Sequence, residues 1–143
     1  DPHWFEGFTR EAPQTNETRR AMAFLPVFAD LSAHGPLHML EVGASAGLNL
    51  NWDRFAYKAR DWSWGSADPA APRIDTDWRG APPRLPARID VAARAGCDVH
   101  PLDPRDPAER LRLKSYIWPD QHERLERFER AADLAAASEV RVD

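Results

Sequence analysis

The sequence predicts an α/β fold with a parallel sheet, because strand-like and helix-like segments alternate along the chain. Leu37–Val42 is a short apolar run that follows the helix breakers Gly35 and Pro36, and such a run is typical of a buried parallel strand. Residues 43–47 are all small, which indicates a tight turn. A tryptophan-rich stretch follows and indicates short antiparallel strands. We therefore predict an α/β domain with a parallel sheet and a small antiparallel insertion.

The first element is predicted to be a helix over residues 15–34. Thr15 and Asn16 are good helix N-caps, and Glu17 would lie in the first turn, where the helix dipole favours an acid. Apolar residues then recur at helical spacing. Pro26 removes one backbone donor inside this helix, so we expect a kink there.

The rest of the chain is predicted as a strand, turn and helix over residues 37–55, a β insertion over 56–80 and a largely helical remainder over 87–138, all in one domain spanning 1–143. The remainder should hold a helix at 87–95 capped by Gly96, a strand at 97–102, a helix at 108–116 and a last helix that opens at Pro119. Cys97 is expected to be buried and inert.

The composition excludes several classes of function. A formal net charge of −4 gives no electrostatic case for nucleic acid as a partner. No apolar run approaches the roughly 20 residues that cross a bilayer, so no membrane span is expected. The single cysteine excludes a disulfide within the chain and a cysteine-rich zinc site, and it favours a cytoplasmic location. The five histidines lack metal-ligand spacing, so no metal is expected.

The strongest functional signal is the sequence Glu-Val-Gly-Ala-Ser-Ala-Gly at residues 41–47. Small residues let the backbone turn sharply after a strand and approach a ligand closely. In an open parallel sheet, ligands bind beyond the carboxyl ends of the strands, where this turn would lie. An ordinary strand and turn that needs small residues for packing is the alternative.

The turn resembles motif I of S-adenosylmethionine (SAM) methyltransferases, with serine in place of the usual middle glycine. In that class the loop packs against the amino-acid portion and the sugar of the cofactor. The resemblance therefore implies a cofactor-binding role for Glu41, Gly43, Ala44, Ser45 and Gly47.

The same turn also matches the Gly-x-Ser-x-Gly elbow of serine hydrolases, in which Ser45 would be the nucleophile. A hydrolase also needs a later acid and a histidine, for which His100 and His122 are available. The acidic residue at Glu41 favours the methyltransferase interpretation.

Further blocks resemble the bacterial family labelled domain of unknown function 2332. They are residues 13–17 (Pro-Gln-Thr-Asn-Glu), 41–50, 53–54, 77–80 (Asp-Trp-Arg-Gly), Asp98 with 101–103, and 118–121 (Trp-Pro-Asp-Gln). This family is similar to SAM methyltransferases in its predicted fold, which implies a Rossmann-like, SAM-methyltransferase-type three-layer fold. It also implies binding of SAM or a related nucleoside, with methyl transfer as the reaction. A non-catalytic module with the same fold is the alternative. Family members are longer, which implies an incomplete domain here, so an exposed strand edge and self-association are expected.

Other polar residues are candidates for the same cleft. Asn16 and Glu17 could face the cofactor or simply cap the first helix. Asn49 and Asp53 lie four residues apart, hence on one helix face, and Asn49 is the better candidate for the cleft. In methyltransferase-like folds an acidic residue at the end of the second strand accepts hydrogen bonds from a ribose. The resemblance therefore implies such a residue here, and the sequence leaves four candidates: Asp75, Asp77, Asp98 and Asp103.

Overall fold

A computed structural model describes residues 13–143, and its fold is mixed α/β, as the alternation of segments predicts. The helices and strands are α1 (Ala21–Ser32), β1 (Leu37–Val42), β2 (Ala56–Lys58), β3 (Ser63–Gly65), β4 (Arg73–Asp75), β5 (Val91–Cys97), α2 (Pro107–Ser115) and α3 (His122–Ala136). Two 3₁₀ segments, Thr18–Arg20 and Leu48–Arg54, complete the regular structure of this part of the chain.

The central feature is a parallel pair of strands. β1 lies where the sequence predicts it and pairs in parallel with β5, so that Val42 faces Cys97 at their carboxyl ends. On the other side of β5, Gly96 forms a parallel bridge with Val142. The order across this sheet is therefore β1, β5, residue 142, with the turn at 43–47 at its carboxyl edge.

The strand β5 corrects two predictions, since residues 87–95 are not a helix and residues 97–102 are not a strand. The alanine-rich sequence favours a helix locally, but pairing with β1 on one side and with Val142 on the other supplies the backbone hydrogen bonds of a strand. Gly96 is not a helix cap either. A Cβ there would lie 2.9 Å from the Cβ of Ala44, so the missing side chain lets β5 approach the turn. Cys97 is exposed rather than buried.

The predicted helix boundaries also shift. The first helix does not span 15–34, because residues 18–20 form a 3₁₀ turn before α1 begins. The segment after the turn is a 3₁₀ segment that breaks at Asn51, which has non-helical backbone angles, and not the start of an α-helix. The last helix begins at His122 instead of Pro119, because the backbone N–H of Gln121 first closes a turn onto the carbonyl oxygen of Trp118.

The tryptophan-rich insertion is a three-stranded sheet in the order β3, β2, β4. It is mixed and not wholly antiparallel, because β2 pairs antiparallel with β3 but parallel with β4. The indole of Trp52 connects this sheet to α1, with ring centroids 4.6 Å from Phe28 and 6.1 Å from Trp64. Trp52 is 1% exposed, so it serves as a core residue.

The strand β1 has one covered and one uncovered face. Leu37 and Met39 pack against the core that holds the buried residues of α1. Leu40 and Val42 on the opposite face are 73% and 80% exposed. In residues 13–143, β5 is the strand paired with β1, and the outer edge of β1 has no partner strand.

We expect this 143-residue chain to self-associate through β1. Its outer edge has no partner strand in the described residues, so it is a template for pairing with another chain, and its uncovered face is apolar. Leu40→Lys should shift the chain towards a monomer in size-exclusion chromatography with light scattering. Leu111→Lys is the matched control, since Leu111 is also exposed but lies on α2. A wild-type chain that elutes as a clean monomer would contradict the expectation.

Candidate functional site

The turn at residues 43–47 lies at the carboxyl ends of β1 and β5. The backbone N–H groups of Gly43 and Ala44 both donate to the carbonyl oxygen of Cys97, at 2.8 and 3.1 Å. Gly43 and Gly47 have φ values of +71° and +67°, in the left-handed region that favours glycine. The backbone path therefore favours glycine at residues 43 and 47.

The two glycines differ in what surrounds them. A Cβ built on Gly43 meets no atom within 4 Å, so a ligand could approach the backbone here. A Cβ on Gly47 would lie 3.0 Å from Val142 Cγ2, so packing accounts for that glycine. The open side of the turn is consequently at Gly43.

The side chain of Ser45 is enclosed by the preceding segment. Its hydroxyl accepts a hydrogen bond from Asn16 Nδ2 at 2.6 Å and donates to Gln14 Oε1. Both partners are amides, whereas a hydrolase nucleophile requires a basic partner such as an imidazole. This environment of Ser45 Oγ gives the serine-hydrolase alternative no support.

Asp98 is the acidic residue that the fold brings to the turn. It follows β5 directly, and its Oδ2 accepts a hydrogen bond from the backbone N–H of Ser45 at 2.8 Å. The backbone N–H groups of His100 and then Ser45 hold the pKa of the Asp98 carboxyl below its ordinary value, so it stays ionised as a hydrogen-bond acceptor. The other three candidates form ion pairs with arginines two residues away: Asp75 with Arg73, Asp77 with Arg79 and Asp103 with Arg105.

On the β1 side of the turn, Glu41 lines a cavity of about 420 Å³ between α1 and the outer edge of β1. Arg20 Nη2 lies 3.6 Å from Glu41 Oε1, while Glu41 Oε2 is buried and has no hydrogen-bond partner in the described residues. With its amide oxygen turned towards Arg20, Asn49 accepts from two guanidinium nitrogens at 3.2 Å. Asn49 and Glu41 thus reach the same cavity, with a cation between them.

Burial raises the pKa of the Glu41 carboxyl, and the nearby Arg20 opposes this rise. A raised pKa in the folded state means that protonation favours folding, so this contribution is fully present below the unfolded pKa of about 4.3 and is lost as pH rises through the folded pKa. We therefore expect Glu41→Gln to raise the free energy of unfolding at neutral pH and to lose this advantage in acid.

Urea unfolding of both proteins at pH 7 and below about pH 4 would measure this difference. Glu139→Gln, at an exposed position, is the control and should change little at either pH. A destabilised Glu41→Gln at pH 7 would mean that pairing with Arg20 outweighs the burial of the carboxylate.

Asn16 and Glu17 have different surroundings. Asn16 bonds to Ser45 at the turn and does not cap a helix. Glu17 is the capping residue, since its Oε1 accepts from the backbone N–H of Arg19 at 2.9 Å. Its carboxylate also pairs with Arg124 and Arg127 of α3. Asn16 therefore lies at the candidate site and Glu17 connects to α3.

Three further residues refine the sequence interpretation. Asp53 does not line the cleft, because both of its oxygens bond to the guanidinium of Arg94 on β5, at 2.6 and 2.7 Å. Arg20 and Gln14 contact candidate residues, but the sequence indicated no role for either of them. Gln14 lies in residues 13–17, one of the blocks that resemble the family. Their partners are distant in sequence, so no local spacing indicates these contacts.

The described residues give no support for a metal site or for a membrane-spanning helix. Residues 13–143 contain no group of three or more histidine, cysteine, aspartate or glutamate side chains placed to hold a metal ion. Over the same range, no helix combines the length and the apolar character needed to span a membrane.

These features define an α/β protein with a small-residue turn and an acidic side chain together at the carboxyl edge of a parallel strand pair. The sequence profile of a family described as an uncharacterized protein conserved in bacteria (DUF2332) matches residues 3–143. The chain therefore belongs to this family. Neither the curated proteins nor the solved structures contain a significant match.

Proposed function

We propose that this chain binds SAM or a closely related nucleoside through a Rossmann-like, methyltransferase-type fold, with methyl transfer as its reaction. One observation carries the proposal: the backbone N–H of Ser45 in the turn donates to Asp98, which ends the neighbouring parallel strand. This contact joins the two elements that a nucleoside cofactor uses at the carboxyl edge of such a sheet.

The ribose end of the ligand would lie against Asp98. Its carboxylate is ionised and accepts backbone hydrogen bonds at both oxygens, and each oxygen keeps a further lone pair for a ribose hydroxyl. The strand order β1, β5, residue 142 supports this assignment, because Asp98 then ends the strand adjacent to the one that carries the turn.

The amino-acid end of the ligand would lie over Gly43 and extend towards Glu41. The unpaired Oε2 of Glu41 is an acceptor suited to an ammonium group, and Arg20 offers a guanidinium for a carboxylate. A buried acceptor without a donor is unfavourable by roughly 1–3 kcal/mol, which a bound ammonium would offset.

When bound, the cofactor supplies a methyl group on a positively charged sulfur. The residues of the chain bind the cofactor and orient it, and the rate advantage of this kind of transfer comes mainly from holding the two reactants in line.

We propose a cytoplasmic location. Cys97 is the single cysteine and is exposed, and an exposed free thiol suits the reducing cytoplasm.

Isothermal titration of the chain with S-adenosylhomocysteine (SAH), with adenosine alone and with methionine alone tests the proposal. We expect SAH to bind more tightly than either half, because both ends of the site contribute. Absence of binding at millimolar SAH would contradict it. If SAH and SAM both bind but no methyl transfer is detected, the result favours the non-catalytic alternative.

A further inference from the structure

The segment of residues 13–17, here called the strap, crosses the carboxyl edge of the parallel strands. At one end, Gln14 Nε2 donates to the carbonyl oxygen of His100 at 2.7 Å, beyond β5. In the middle, the amides of Gln14 and Asn16 enclose the hydroxyl of Ser45. The strap therefore lies directly over the turn.

The far end of the strap is fixed to helix α3. Glu17 pairs with Arg124 Nε at 2.9 Å and with Arg127 Nη2 at 3.2 Å. Both arginines lie on α3, so these ion pairs attach this end of the strap to that helix. Contacts with the loop after β5, with the turn and with α3 make the strap a bridge across the proposed site.

Ser45 is the middle contact of this bridge, and its backbone is unusual. Its φ is +53°, and within residues 13–143 it is the only residue other than glycine with a positive φ. A glycine would adopt this angle without strain, whereas a side chain there is unfavourable. The two hydrogen bonds of the hydroxyl offset that strain, and Ser45 is 8% exposed, so water does not compete for them.

We infer that Ser45 is a positioning residue whose hydroxyl holds the strap across the turn and so controls how tightly the adenosyl ligand is retained. This inference rests on the proposed function for the identity of the ligand, but the attachment of the strap is independent of it. Ser45 acts through Gln14 and Asn16 and takes no part in bond making.

A pair of substitutions separates this role from a purely structural one. Ser45→Ala and Ser45→Gly both remove the hydroxyl, but glycine relieves the strain at φ +53° and alanine does not. We expect Ser45→Gly to be the more stable of the two in urea. Both variants should bind SAH roughly five- to tenfold more weakly than the wild type, because both lose the hydrogen bonds of the hydroxyl to Gln14 and Asn16.

Asn16→Ala, which leaves the turn unaltered, should weaken SAH binding to a similar extent. Combining it with Ser45→Ala should add little, because the two side chains share one contact. Wild-type affinity in Ser45→Gly, or losses that simply follow the stability of each variant, would overturn the inference.

Hydrogen exchange measured by mass spectrometry tests the strap without any ligand. Peptides that contain residues 14–17 should exchange faster in Ser45→Gly than in the wild type. Ser32→Ala is the control, since it removes a hydroxyl that bonds to the carbonyl oxygen of Ala29 at the end of α1. Unchanged exchange in Ser45→Gly would contradict the inference, whereas faster exchange with no SAH binding to the wild type would contradict only the proposed function.

Discussion

Asp53→Asn should lower the free energy of unfolding by about 3 kcal/mol, the lower end of the range for breaking a buried ion pair. Asp53 and Arg94 are 14% and 10% exposed, and two hydrogen bonds at 2.6 and 2.7 Å join them. Removing the negative charge leaves the Arg94 guanidinium largely buried without a counter-ion, with the carbonyl oxygen of Leu50 and the amide oxygen of the new asparagine as neutral acceptors. Urea denaturation monitored by tryptophan fluorescence would measure the loss.

The control for this change is Asp75→Asn. Asp75 also pairs with Arg73 through two hydrogen bonds, at 2.8 and 3.0 Å, but both side chains are more than half exposed. Water and salt screen such a pair, so the loss should be far smaller than for Asp53→Asn. Replacing Asp53 and Arg94 together with leucine and methionine should recover much of the stability, because no buried charge then remains. Equal losses for Asp53→Asn and Asp75→Asn would contradict the account of β5 as a strand fixed to the Leu48–Arg54 segment.

Gly43→Ala should weaken SAH binding by about tenfold or more, equivalent to at least about 1.4 kcal/mol of binding free energy. The new methyl group meets no atom of the chain within 4 Å, so it would project into the space proposed for the ligand. The left-handed φ of +71° also makes alanine unfavourable by roughly 1–2 kcal/mol, so the variant should be less stable as well. Isothermal titration and urea unfolding would separate the two effects.

Gly80→Ala is the matched control for backbone strain, since Gly80 also has positive φ and open space around its Cα. It should lower stability without changing the SAH affinity, because residue 80 lies in the connection after β4, away from the turn. If Gly43→Ala binds SAH as the wild type does, the ligand does not approach the turn.

The parts of the fold that the sequence predicts are those with a strong local pattern. An apolar run after Gly35 and Pro36 predicts β1 to the residue, and small residues predict the turn. Helix α2 is also close to its predicted bounds, because Asp106 caps it and Pro107 opens it. In these segments, local preference and tertiary structure agree.

The failures lie where a distant partner decides the structure. Residues 91–97 have a helix-favouring composition, and only pairing with β1 and Val142 makes them a strand. The choice among four aspartates depended on the same pairing, because only a parallel neighbour of β1 places Asp98 at the turn. Without knowledge of β5, the sequence could identify the turn but not its acidic partner.

Contacts between distant segments also explain why the sequence predicted the site only in part. Asn16 and Ser45 were both candidates, yet nothing in the sequence indicated that they bond to one another across 29 positions. Glu41 and Asn49 were candidates as well, and the sequence did not indicate that Arg20, at the end of the 3₁₀ segment before α1, lies between them. A local motif therefore predicts which residues are available, and long-range packing decides which of them meet.

The central claim is that the turn and Asp98 together hold an adenosyl ligand, and titration of a ¹⁵N-labelled chain with SAH tests it most directly. We predict saturable shifts of the backbone amide signals of Gly43, Ser45 and Asp98, with those of β2, β3 and β4 unchanged. Shifts confined to the three-stranded sheet, or no shifts at saturating SAH, would contradict the claim.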